Sequence, residues 1–62
     1  MYEDSLYNLM NQLLQEQKSL WRIQNFYLPQ AADTEEEKFW QDLGADKMDH
    51  VEELERMIKE RM

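Results

Sequence analysis

The sequence has no cysteine, one glycine and one proline in 62 residues. Without cysteine there is neither a disulfide framework nor a thiolate zinc staple, and redox compartment is left open. Pro29 is the one proline, and the helix before it is expected to end there, leaving two segments around one loop. Apolar runs are short as well. The longest, Phe26, Tyr27, Leu28, falls far below the ~20 residues a bilayer crossing needs. Bases are scarce, seven against fourteen acids for a net charge of −7, and they are interleaved with acids, so direct nucleic-acid binding is not expected. Met1, Tyr2, Glu3 and Asp4 lack the basic and apolar regions of a signal peptide, which makes cytoplasm the expected location.

What is present is an uneven charge pattern. Residues 1–30 hold three acids and two bases, whereas residues 31–62 hold eleven acids and five bases. Pro29, Gln30, Ala31, Ala32 and Asp33 form the one cluster of breakers and small residues, and Pro29 disfavours helix at Leu28. Thr34 and Glu37 have capping-box spacing, so a second helix is expected to start there. Glu35, Glu36 and Glu37 at its start, and Arg56, Lys59 and Arg61 near its end, complement the macrodipole. The chain reads as one all-α, antiparallel two-helix hairpin: helix 1 over about 4–28, a loop over about 29–33 and helix 2 over about 34–61.

At 100° per residue, Leu6, Met10, Leu13, Leu20, Trp21, Tyr27 and Leu28 share a broad arc of the first segment, widened by Tyr7, Leu9, Leu14 and Ile23. An apolar face over about half the circumference is too wide for one neighbour and suits a helix that touches two. Phe39, Trp40, Leu43, Val51, Leu54, Met57 and Ile58 share a narrower face of the second segment, beside Gly44. A chain this short buries only about 60% of its unfolded surface. With metal-thiolate and disulfide staples excluded, self-association into a four-helix bundle is the expected way to bury more. The expected oligomer interface comprises Leu6, Met10, Leu13, Leu14, Trp21, Leu28, Trp40, Val51, Leu54 and Ile58.

Polar residues interrupt these faces. Gln17 and Gln24 lie near the middle of the first arc and Lys47 near the middle of the second, with Glu16 and His50 at the margins. A hairpin pivoting near Ala31 brings residues 16 and 17 level with 45 to 47. Glu16, Gln17, Lys47 and His50 are therefore expected to share a polar core layer, in which Glu16 neutralises Lys47. The competing reading turns Glu16 and His50 outward while the Lys47 stem snorkels to water.

The stretch Phe39, Trp40, Leu43, then Lys47, Met48, Asp49, His50, Val51, Glu52, Glu53, Leu54 resembles the second helix of ferritin-like proteins, closest to their rubrerythrin and encapsulated-ferritin branch. In that family a first-helix Glu and a second-helix Glu-x-x-His face a metal inside the bundle. The resemblance spans residues 13–58. It implies His50 as the motif's histidine, Glu16 or Gln17 at the first-helix carboxylate position, and Phe26 and Tyr27 in its aromatic stretch. The motif's Glu is Lys47 here, so the metal motif is degraded: a fixed ammonium competes with a bound cation for Glu16.

No nucleophile and base constellation can be assembled from Ser5, Ser19 and one histidine. Met1, Met10, Met48, Met57 and Met62 are scattered, as core filling requires. The expected function is a homo-oligomeric assembly module with a polar layer in place of a di-iron site and no cofactor. The first alternative is an iron-binding or iron-oxidising protein whose Glu16 and His50 ligands, with iron or another divalent metal, are completed across a dimer. The second is a regulatory hairpin that binds another protein's helix.

Overall fold

The computed structural model describes residues 2–62; Met1 lies outside them. Helix α1 spans Tyr2–Arg22, continues as a π-helical segment over Ile23–Tyr27, and is followed by helix α2, Thr34–Arg61. No strand occurs among the described residues. The helices pack antiparallel into a hairpin measuring 45 × 14 × 14 Å. No described helix is long and apolar enough to cross a membrane.

The packing follows a stricter pattern than a broad arc. Leu6, Leu9, Leu13, Glu16, Leu20 and Ile23 alternate spacings of three and four, and each is buried or half-buried. Trp40, Gly44, Lys47, Val51, Leu54, Ile58 and Arg61 do the same on α2. These are two seams of 3.5-residue period, as in a coiled coil. They meet at Glu16 and Lys47, at Leu20 and Ile23 against Gly44, and at Tyr27 against Trp40. Among the apolar side chains described, burial is greatest at Ile23, Leu54 and Ile58. Ile23 only widened the arc read from composition, but its place in the 3,4 alternation makes it the most enclosed apolar side chain, 2% exposed.

The ten residues expected at an oligomer interface therefore divide. Leu54 and Ile58 are buried within the hairpin itself, and Leu6, Leu13, Leu28, Trp40 and Val51 are half-buried. Met10, Leu14 and Trp21 stay exposed at 44%, 47% and 55%. With Tyr7 they form a second line along α1, one position on from the inward seam. Phe39, assigned to the inner face of α2, is also exposed. Its ring meets Trp40 edge to face, with centroids 5.1 Å apart.

The helix junctions are set by backbone hydrogen-bonding. Pro29 has no N–H to offer the Asn25 carbonyl, so the α ladder cannot continue through it. The last turn widens instead: Leu28 N donates to Ile23 O at 2.8 Å, five residues back, and the Asn25 side-chain amide donates to Trp21 O at 2.9 Å. The extra residue in that turn brings Leu28 to the groove it lines with Leu20, Ile23, Trp40 and Gly44.

At the start of α2 the capping register differs by one residue from the expected Thr34 and Glu37 pair. Asp33 is the N-cap, its carboxylate accepting from Glu36 N at 2.9 Å. Glu36 reaches back to Ala32 N at 3.2 Å and accepts from Trp40 Nε1 at 3.4 Å. Carboxylate oxygens are as competent as hydroxyls here, and only the Asp33 register also ties Trp40 to the cap. Replacing Asp33 by alanine is expected to cost about 1 kcal/mol, against a few tenths for Thr34→Ala. Chemical denaturation of the two variants checks the order.

Gly44 is buried in the seam against α1. A Cβ there would lie 3.7 Å from Ile23 Cγ2 and 3.8 Å from Leu20 Cδ1, ordinary contact distances. Gly44→Ala is therefore expected to stabilise the hairpin by about 0.5–1 kcal/mol through helix propensity and reduced unfolded-state freedom. A thermal midpoint raised by several degrees checks it.

Candidate functional site

Midway along the hairpin the apolar seam is broken by charge. Glu16 points inward from α1 and is 7% exposed. Lys47 and His50, one turn apart on α2, both reach it: Lys47 Nζ lies 2.7 Å from Oε2 and His50 Nδ1 lies 3.1 Å from Oε1. Each carboxylate oxygen thus has its own partner. The Lys47 side chain is about a quarter exposed, at 24%, and that of His50 more than half, at 58%. Among the described residues no buried side-chain nitrogen or oxygen lacks a hydrogen-bond partner.

Of the four residues expected to share this layer, three are in contact and Gln17 is not. Gln17 is exposed and Glu16 takes the inward position. Adjacent helical residues stand 100° apart, and the 3,4 seam runs through 16, not 17. Gln24, the other glutamine placed in the arc, is also exposed, at the rim of the groove beside Leu20.

The Lys47 ammonium, by its hydrogen bond first and its charge second, holds the Glu16 carboxyl below the usual carboxylate value against the opposing effect of burial, and His50 adds to the lowering. A carboxyl depressed in the folded state binds fewer protons there than when unfolded, so its stabilisation is present above the unfolded value of 4.5 and is lost as pH falls through the folded one. Stability is therefore expected to decline below about pH 4.5, and Glu16→Gln to flatten that decline. Urea titrations between pH 7 and pH 3 check it.

Glu16 and His50, the residues implied as metal ligands, do face one another, but Lys47 holds one carboxylate oxygen and the imidazole holds the other. Among the described residues no group of three or more His, Cys, Asp or Glu side chains is placed to hold a metal ion. The present chemistry of the site is charge neutralisation inside a helical seam.

The two sides of the hairpin differ around this layer. One groove is lined by Gln12, Glu16, His50, Glu53, Leu54 and Met57. The other side carries a groove past Leu20, Gln24, Gln41, Gly44, Ala45 and Met48, and a separate one past Leu13, Glu52, Glu55, Arg56, Lys59 and Met62. By helical phase, the exposed line Tyr7, Met10, Leu14 and Trp21 flanks this second side. Composition alone did not separate these sides; the 3,4 spacing of residues 7, 10, 14, 17 and 21 is the signal that does. No family model, curated protein or solved structure matches the chain.

Proposed function

We propose that the chain is a small self-associating helical module, in which the exposed apolar line of α1 joins copies into a four-helix bundle and the Glu16, Lys47, His50 layer fixes helix register. The observation that carries this reading is the exposed line itself: Tyr7, Met10, Leu14 and Trp21 are 44–68% exposed along one edge of α1. A line of exposed apolar side chains on a small chain, here interrupted by Gln17, suits an interaction face. The hairpin also contains only three buried apolar side chains among the described residues, Ile23, Leu54 and Ile58. That is a thin core for independent stability.

The polar layer suits a registering role more than a stabilising one. A partly buried ion pair gains little over apolar packing, yet it penalises every arrangement that separates its members. A slide of α2 by one seam position would set Glu16 against Gly44 or Val51 and leave a buried carboxylate without its cation. On this reading the resemblance to ferritin-like proteins is architectural: Lys47 replaces the motif's carboxylate and supplies the positive charge that a metal would have brought.

Native mass spectrometry of the untreated protein tests the proposal. The expected spectrum is dominated by an assembly of twice the 7.7 kDa chain mass or a higher multiple, without bound metal. A monomer throughout the micromolar range would contradict it, and would favour docking to a different protein. Stoichiometric iron on the assembly would also contradict it, in favour of an iron-handling role.

A further inference from the structure

We propose that the cavity between Lys18, Trp21, Arg22, Phe26 and Tyr27 binds a small aromatic carboxylate, its ring system against the three aromatic side chains and its charge beside the two cations. The proposal goes beyond the assembly reading and does not rest on it.

The cavity exists because of the π-helical turn. In an α-helix, residues five apart stand roughly 140° from one another around the axis, which would turn Phe26 away from Trp21. The wider turn over Ile23–Tyr27 brings it back, and the two rings meet edge to face with centroids 5.2 Å apart. The Tyr27 ring rests against Trp40, centroids 4.8 Å apart, and the Trp40 indole is tied to the α2 cap through Glu36. The resulting cavity of about 430 Å³ falls within the roughly 300–1,000 Å³ of small-ligand sites. Trp21, Phe26 and Tyr27 remain 42–55% exposed, so a ligand has apolar area left to cover. A π turn inside a longer helix is frequent at functional sites.

Charge selects the sign of the ligand. Residues 17–32 carry Lys18 and Arg22 and no acid, in a chain of net charge −7. Neither cation forms an ion pair among the described residues, whereas Lys47 and Arg56 are both paired with glutamates. Grooves along α2 hold carboxylates, Glu52 and Glu55 in one and Glu16 and Glu53 in another. The cavity at the end of α1 is lined by two cations and no acid. A carboxylate placed there meets a point charge at Lys18 and a planar fork at Arg22.

The extent of the cavity selects the size. Its lining comes from residues 18–27 alone, about three turns of one helix. A docking amphipathic helix needs a groove long enough for anchors at i, i+3, i+4 and i+7, whereas an acid of one or two rings fills this space. Trp21 also ends the outward line of α1, so such a ligand and a second copy would share only that indole.

The test uses 2-naphthoate, with 2-naphthalenemethanol as its uncharged counterpart, followed by amide and indole NMR shifts of the full chain. Naphthoate is expected to bind one per chain and to half-saturate at about 1 mM or below. Its shifts should concentrate over residues 18–27 and on the Trp21 indole N–H. The alcohol is expected to bind at least about fivefold more weakly, and so is naphthoate to the double variant Lys18→Gln with Arg22→Gln, both exposed positions. Lys38→Gln with Lys59→Gln, which removes the same charge from α2, should change the affinity by less than about twofold. Equal affinity for acid and alcohol, equal losses in the two double variants, shifts spread along Tyr7, Met10 and Leu14, or no saturable binding would each overturn the site. Weakened self-association with unchanged naphthoate binding in the Lys18, Arg22 variant would also overturn it, and would assign the two cations to acids of a second copy. The comparison of acid with alcohol needs no substitution, so it decides the case even if a variant fails to fold.

Discussion

Replacing Lys47 by methionine is expected to lower stability by about 2–3 kcal/mol, a fall of roughly 10–20 °C in the thermal midpoint for a chain of this size. Methionine keeps the aliphatic stem, so the loss isolates the charge. Glu16, 7% exposed, would retain only the half-exposed His50 as partner. Breaking a buried pair costs about 3–5 kcal/mol, and the lower figure reflects the quarter of the Lys47 side chain open to water. Substituting both members, Glu16→Leu with Lys47→Met, is expected to return the midpoint to the parent value or above it, because an apolar layer no longer has charges to desolvate. Strict additivity of the two single substitutions would contradict the pairing.

The second large effect is expected at Leu14. Leu14→Glu leaves the inward seam untouched, since the side chain is 47% exposed and outside it, so its effect on folding comes through association. It should weaken self-association by about 10²–10³-fold. That range corresponds to burying an unpaired carboxylate at roughly 3–4 kcal/mol. Sedimentation equilibrium gives the association constant, and circular dichroism at the same concentrations is expected to show helix content falling with the associated fraction. The same change at Gln15, which lies on neither the seam nor the outward line, should alter association by less than threefold.

Much of the fold was legible in the sequence because its signals are local and agree. Pro29 with the small residues after it marks the break, and the acidic start and basic end of α2 mark its polarity. The all-helical hairpin follows from these. Finer placement failed where two choices were energetically close. Asp33 with Glu36 and Thr34 with Glu37 offer the same capping chemistry one residue apart, and the tie is broken by Trp40, a contact one turn into the helix. Glu16 and Gln17 are adjacent, and an apolar-arc count favours the neutral amide for the interior. The carboxylate takes that place because Lys47 stands opposite it, a fact about the other helix.

The π-helical turn leaves no periodic trace in the sequence. It arises from the missing N–H of Pro29 together with the pull of Leu28 into the groove beside Trp40 and Gly44. The division of a wide apolar arc into an inward seam and an outward line is the most consequential of these refinements. It separates side chains that hold the hairpin together, such as Ile23 and Leu54, from those, such as Leu14 and Trp21, that stay exposed on α1.

The central claim is that the hairpin completes its core only in company. The thermal midpoint measured over a hundredfold range of protein concentration tests it most directly. Folding coupled to association predicts a midpoint that climbs steadily with concentration. A midpoint independent of concentration, in a chain of monomeric mass, would contradict it.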